Sequence, residues 1–143
     1  MDDIVFELDG NIPTKKNRPR IFKRGKAFIR KPSLAHEKWH KAAGYQLKMQ
    51  KHDCPIELPI KKCDNIIVHL YYGTLIVKDN TNTVDSVHDL LTDMGIIEDD
   101  NWKVTGETRQ IPHYRKGNPG CKIIIKVSDN NEYESVGKGV NSN

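Results

Sequence analysis

The chain has 143 residues, of which 36% are hydrophobic and 29% are charged, and its formal net charge at pH 7 is +4. This length fits one domain, and the composition excludes a collagen-like, coiled-coil or wholly disordered chain. The longest apolar stretch, Ile66 to Val77, is interrupted by His69 and Gly73. It is far shorter than the ~18–20 residues of a membrane-spanning helix, so we expect no membrane partner.

The cysteines and the amino terminus indicate a reducing compartment. Cys54, Cys63 and Cys121 are odd in number and form no C-x-x-C pair, which disfavours a disulfide framework and a structural zinc site. The chain begins Met-Asp-Asp with no apolar run behind it, so no secretory signal is visible. The sequence therefore predicts a cytoplasmic protein in which Cys63 and Cys121 are small buried hydrophobic residues.

The first half of the chain predicts three strands and one helix. The turn Lys23-Arg24-Gly25-Lys26 is typical of a hairpin. Ser33 is a candidate N-cap, and Trp39, Ala43 and Leu47 are expected on the buried face of the helix that follows. The predicted elements are strands at Ile4–Leu8, Ile21–Phe22 and Ala27–Ile29 and a helix from Ser33 to about Lys51.

The second half predicts three more strands and a second helix, with Gly95 at the helix end. These elements are a strand at Ile66–Val77, a helix at Thr83–Met94, and strands at Trp102–Ile111 and Cys121–Val127 joined by a Pro112–Gly120 loop. Their order predicts an α/β (α+β) fold, a mixed β-sheet with two main helices packed on it. We expect residues 1–128 to form the domain and the polar residues 129–143 to form a flexible tail.

Charges of opposite sign are separated along the chain. Residues 13–31, here called the basic segment, carry nine lysines and arginines and no acidic residue, whereas residues 79–100 carry seven acidic residues and no lysine or arginine. Two solvated faces would explain these runs, and so would a polyanion-binding arm beside a carboxylate cluster that holds cations. The candidate DNA contacts are Lys15, Lys16, Asn17, Arg18, Arg20, Lys23, Arg24 and Lys26.

The second helix is predicted to carry acidic residues on the side opposite its apolar stripe. Asp79 lies just before this helix, and Asp99 and Asp100 follow a short return through two isoleucines. Clustered aspartates without an accompanying histidine suit Mg²⁺ or Mn²⁺ better than Zn²⁺. The apolar stripe is Val84, Val87, Leu91 and Met94, and the polar side is Asn82, Asp85, Asp89 and Asp93. Taken singly, Asp93 is expected to be a solvent-facing residue, and Asp85 could instead form a capping box with Asn82 as N-cap.

This block resembles the RusA-type Holliday-junction resolvases, a family of endodeoxyribonucleases. The family pattern is an Asp at a strand end, a second Asp, Asn, Lys, then Asp-x-Leu on a helix, a Gly and a closing Asp-Asp. Upstream, residues 12–17 resemble the family's proline-led basic segment, and the likeness covers roughly residues 4–127. The residues in register with the pattern are Asp79, Asn82, Asp89, Leu91, Gly95, Asp99 and Asp100.

Two positions depart from the family pattern. Thr81 stands where the family has its second metal-binding Asp, and Asp85 stands where it has a catalytic Lys. We favour a carboxylate moved by one helical turn from position 81 to position 85, because the carboxylate count is then preserved. The role of the missing lysine would pass to another cation, such as Lys78 or Lys103.

The resemblance implies a Mg²⁺- or Mn²⁺-dependent nuclease that resolves four-way DNA junctions by paired nicks. A junction offers two equivalent strands, so a homodimer is expected, with a strand edge near residues 66–77 or 121–127 as the suspected interface. Phe22 or Phe28 would contact unpaired bases or, more commonly for such residues, pack in the core. The implied catalytic residues are Asp79, Asp85 and Asp100. The implied metal ligands are these three residues and Asp99. The implied supporting residues are Asn82, Asp89 and Lys78.

Two alternatives stay open. One is a DNA-junction-binding protein on the same fold that lost turnover through Thr81 and the absent lysine. The other is a metalloprotease, because His36-Glu37-Lys38-Trp39-His40 fits H-E-x-x-H on a predicted helix. Against it, the helix begins barely one turn earlier, no third ligand follows, and the domain is small. We therefore expect His36 and His40 to be polar-face residues, and His88 to lie at the boundary of its helix's apolar face.

Overall fold

The computed structural model describes residues 3–13, 20–31, 33–75, 80–129 and 131. In this part of the chain, no helix has the length and apolar character needed to span a membrane. The elements in chain order are β1 (Ile4–Asp9), β2 (Arg20–Arg24), β3 (Ala27–Lys31), α1 (Leu34–Lys51), β4 (Cys63–Tyr72), α2 (Asn80–Asp93), α3 (Trp102–Thr105), β5 (Glu107–Tyr114) and β6 (Gly120–Val127).

Four of the strands form a mixed sheet in the order β1-β6-β4-β5. β4 and β5 are parallel, as expected for strands joined through a helix, while β6 is antiparallel to both β1 and β4. β2 and β3 form a separate two-stranded hairpin. The predicted mixed α+β architecture with two main helices is confirmed.

The core lies between one face of the sheet and the two long helices. Alternate residues of β1 are buried and exposed, which is typical of a strand with one covered face. The predicted buried face of α1 is confirmed, since Trp39, Ala43 and Leu47 are all buried. Cys63 and Cys121 are also buried as predicted, and burial raises the pKa of each thiol to about 12.

Both ends predicted from capping signals are confirmed. The Ser33 hydroxyl accepts a hydrogen bond from the His36 backbone N–H at 3.2 Å, which caps α1. At the end of α2, the Gly95 N–H donates to the Thr92 carbonyl and the Ile96 N–H donates to the Leu91 carbonyl, which is the Schellman arrangement.

The return after α2 is fixed to the core. Ile96 and Ile97 are buried, and Ile60 exchanges backbone hydrogen bonds with Ile96 and Glu98 at 2.8 and 2.9 Å. Lys61 adds an ion pair with Glu98 at 3.4 Å. The loop that carries Asp99 and Asp100 therefore starts from a rigid point.

Several predicted boundaries were wrong. Residues 102–105 form the short helix α3 rather than a strand, because the Asn101 side chain accepts hydrogen bonds from the Lys103 and Val104 backbone N–H groups. β5 runs through Pro112 to Tyr114, which is possible because it is an edge strand and Pro cannot donate to a neighbour.

The helix α2 begins at Asn80 instead of Thr83, so Asn82 lies in its first turn and is not the N-cap. β4 begins at Cys63 and ends at Tyr72. The chain leaves the sheet at Gly73, whose carbonyl accepts a hydrogen bond from the Gly117 N–H.

The suspected dimer edges were also wrong, since β4 and β6 are interior strands with both sides paired. The sheet edges are β1 and β5. On β1, the side chain of Gln50 bonds both the N–H and the carbonyl of Glu7, and Gln46 accepts from the Asp9 N–H. Helix α1 thus occupies backbone groups of β1 that would otherwise be open to another strand.

Candidate metal centres and nucleic-acid interface

Two acidic residues from different elements lie near enough to His88 for their charges to act on its imidazole. Asp85 lies one turn before His88 on α2, and Asp100 lies in the loop before α3; both carboxylates are exposed. Burial lowers the pKa of His88, while Asp100 and Asp85, in that order, act to raise it. His88 is half-buried, as predicted for a boundary residue, and its Nε2 lies 3.1 Å from the Thr108 hydroxyl on β5. The fold therefore brings these two predicted metal ligands to one region of the surface.

Asp99 is occupied by its own loop. One carboxylate oxygen accepts from the Asp100 N–H at 2.7 Å and the other accepts from the Asn101 side-chain amide at 2.9 Å. The hydrogen bond from the Asp100 N–H, followed by that from Asn101, lowers the pKa of Asp99. Asp99 therefore shapes the turn, and within the described chain it does not gather with Asp85 and Asp100 to within 4.8 Å.

An aromatic, lysine-lined pocket of about 400 Å³ lies next to the Asp99–Asp100 loop. Trp102 is 76% exposed in it, and the Lys103 ammonium is 5.9 Å from the centre of the indole ring. Lys61 and Lys62 line the same pocket. An exposed aromatic ring with a lysine ammonium beside it is suited to an unpaired base and its phosphate, although Glu98, paired with Lys61, also lines this pocket.

The β2–β3 hairpin presents the described part of the basic segment. Lys23, Arg24 and Lys26 are exposed, and Phe28, which pairs with Lys23 across the hairpin, is 70% exposed. The expectation that Phe28 packs in the core was therefore wrong. The hairpin itself was predicted correctly from the Gly25 turn.

Several predicted site residues lie outside the described residues: Asp79, Lys78, Lys15, Lys16, Asn17 and Arg18. The same holds for the side chains of Arg20, Phe22, Thr81 and Asn82.

In the predicted tail, Asn131 is the first described residue after Asp129. It is buried and accepts hydrogen bonds from the Lys61 and Lys62 backbone N–H groups. The remaining residues of that tail are outside the described part of the chain.

A histidine–aspartate group lies on the other flank of α2. His36, His40 and Asp89 each offer a ligand atom, and these atoms lie within 4.8 Å of one another, so the group could hold a metal ion. His36 is buried, so the expectation of a polar-face residue was wrong for it. Asp93 is exposed, as expected for a solvent-facing residue, and its carboxylate also lies 3.0 Å from His40 Nε2.

Sequence reasoning missed this group because its third member is 49 residues away from His40 in the chain. The H-E-x-x-H spacing pointed to two of the residues, and the acidic pair at positions 89 and 93 was the available signal for the rest. Only the packing of α1 against α2 brings the two signals together.

Comparison of the sequence with models of known protein families and with curated proteins finds no match. The resemblance to RusA-type resolvases accordingly stays a prediction from the motif.

Proposed function

We propose that the protein is a Mg²⁺- or Mn²⁺-dependent endodeoxyribonuclease that resolves four-way DNA junctions as a homodimer. The observation that carries the proposal is that Asp85 and Asp100, from two separate elements, both lie near enough to His88 for their charges to act on its imidazole. Exposed carboxylates of this kind suit a hard cation that also binds phosphate oxygens. The motif resemblance adds Asp79 as a third carboxylate.

The surface chemistry around these carboxylates supports a nucleic-acid substrate. A bound divalent cation would supply charge stabilisation at the scissile phosphate. Trp102 and its neighbouring lysines would hold an unpaired base and its phosphates beside Asp100. The exposed cations of the β2–β3 hairpin would bind further backbone phosphates, an interaction that is independent of sequence and weakened by salt.

The test is cleavage of a labelled synthetic four-way junction and of a matched linear duplex, with Mg²⁺, Mn²⁺ or EDTA. We expect paired nicks in the junction alone that require the cation. They should be lost in Asp79→Asn, Asp85→Asn and Asp100→Asn. The control is Asp53→Asn, an exposed aspartate just beyond α1, which should cleave like the wild type.

Each other outcome has a defined meaning. If Asp85→Asn still cleaves the junction, Asp85 does not take over the role of the carboxylate that the family has at position 81. Tight junction binding without nicks in either metal would refute the nuclease and favour a binding protein on this fold. Equal cleavage of the linear duplex would refute specificity for junctions.

A further inference from the structure

The group formed by His36, His40 and Asp89, here called the α1–α2 site, has the chemistry of a transition-metal site. His36 and His40 are four residues apart on α1 and therefore lie on one face, with their rings stacked at 5.7 Å between centroids and 22° between planes. Asp89 reaches the same place from α2. Two imidazoles and a carboxylate suit Zn²⁺ and related divalent ions, whereas Mg²⁺ prefers oxygen ligands alone.

A fourth residue holds one of the imidazoles in place. Asp93 lies one turn after Asp89 and contacts His40 Nε2 at 3.0 Å. A proton held on Nε2 by this carboxylate leaves the ring's lone pair on Nδ1, which is shielded from solvent and has no hydrogen-bond partner among the described residues. Metal-binding histidines commonly have such a carboxylate on the other ring nitrogen, which fixes the tautomer and ring orientation.

The site opens onto a pocket of about 270 Å³. Glu37 and Lys41 line this pocket together with the three ligands and Asp93. Three protein ligands beside an open pocket leave a position for water or a small ligand, as in zinc sites that act on substrates rather than closed structural sites. Glu37, adjacent to His36, is placed to interact with a molecule held there.

We propose that His36, His40 and Asp89 bind one Zn²⁺ ion, with Asp93 positioning His40 and the pocket giving access to the metal. This site shares helix α2 with the proposed nuclease carboxylates but none of their ligands. Asp85 and Asp100 serve one region, and Asp89 and Asp93 serve the other. The zinc proposal does not depend on junction cleavage.

The first experiment measures zinc affinity of the full-length, tag-free protein by competition with a chromophoric chelator after removal of metals. We expect one Zn²⁺ per chain with sub-micromolar affinity, and visible d–d absorption when Co²⁺ is bound instead. His40→Ala and Asp89→Asn should weaken binding by about 100-fold or more. Asp93→Asn, a positioning change, should weaken it by about 10–100-fold and shift the Co²⁺ spectrum.

The control is His52→Ala, because His52 is an exposed histidine at the end of the same helix. It should bind zinc like the wild type. His36 is buried, so its alanine variant risks misfolding; half-buried His40 and the near-isosteric Asp89→Asn keep the test decisive. Circular dichroism of each metal-free variant verifies that it has folded.

Zinc bound at well below one equivalent, or affinity unchanged in both His40→Ala and Asp89→Asn, would overturn the proposal. Asp100→Asn separates the two proposals, since it should abolish cleavage and leave zinc affinity intact. A protein that binds zinc but cuts no junction would keep this site and refute the nuclease. A protein that cuts the junction but binds no zinc would refute the zinc site and keep the nuclease.

Discussion

Replacing Gly106 with alanine should destabilise the protein strongly, because this residue is confined by both its backbone and its neighbours. Gly106 joins α3 to β5 with φ +65° and ψ −147°, a conformation that residues with a Cβ rarely adopt. A Cβ built there lies 2.5 Å from the Asp64 carbonyl oxygen and 2.6 Å from that of Cys63. Both contacts are with backbone at the start of β4, which cannot rotate away.

The cost can be estimated from these two effects. The backbone conformation contributes about 1–3 kcal/mol, and the steric overlap contributes a similar amount. Gly106→Ala should therefore lose about 4 kcal/mol of unfolding free energy, which shifts a urea midpoint down by about 2 M at a slope of about 2 kcal/mol per M.

Gly117 provides the matched control for this substitution. It has nearly the same φ, +66°, but no atom within 4 Å of its built Cβ. Gly117→Ala should therefore cost about 1 kcal/mol and shift the midpoint by about 0.5 M. Urea unfolding followed by tryptophan fluorescence measures both. Equal shifts for the two variants would refute the assignment of the larger cost to the overlap with β4.

Three further predictions concern the exposed, buried and titrating groups. Phe28→Ala should weaken junction binding by about fivefold or more in a fluorescence anisotropy titration, at an unchanged melting temperature, because the ring is 70% exposed and stacking contributes about 1–3 kcal/mol per base. In the native protein at pH 8, iodoacetamide should modify Cys54 and spare Cys63 and Cys121, because burial raises the pKa of these two thiols to about 12. Mass spectrometry of the digested protein would show which cysteines carry the modification. The pKa of His69 is lowered from 6.5 by burial and then by the nearby His113 and Lys122. As the pH falls, His69 is therefore protonated in the unfolded chain before it is protonated in the folded protein. The free energy of unfolding should therefore keep its full value above about pH 6.5 and decrease below that pH. Urea titrations at several pH values should show a smaller decrease for His69→Gln than for the wild type.

The features predicted correctly from the sequence are those set by local chemistry. The buried face of α1 follows from the spacing of Trp39, Ala43 and Leu47, and its start follows from the Ser33 side chain. The end of α2 at Gly95 depends on backbone hydrogen bonds within a few residues. Such signals are complete within one or two turns of the chain and need no knowledge of the fold.

The failed predictions depended on contacts between distant segments. Trp102 and Val104 have the composition of a strand, but the Asn101 cap and the confined turn at Gly106 make a short helix there. Pro112 suggested a loop, and whether proline is accepted in a strand depends on that strand's place at the edge of the sheet. Strand order could not be derived from hydrophobic pattern, since interior and edge strands both alternate.

The aspartates of α2 could be predicted from the sequence, but their contact with the histidines of α1 could not, because it also depends on distant segments. A helical projection placed Asp85, Asp89 and Asp93 together opposite the apolar stripe, which suggested one acidic surface. In the structure α1 packs along the second half of that surface and supplies His40 to Asp93. A helical projection shows one helix alone, so it cannot show that a solvent-facing flank also contacts a neighbouring helix.

The aspartates of α2 lie in different surroundings, since Asp89 and Asp93 face the histidines of α1 and Asp85 does not. Adjacent aspartates one turn apart repel by about 0.2–0.5 kcal/mol per pair. The Asp93 carboxylate lies 3.0 Å from His40 Nε2, while Asp85 and Asp100 are exposed. A divalent cation at Asp85 and a zinc ion at Asp89 would each relieve the repulsion between them.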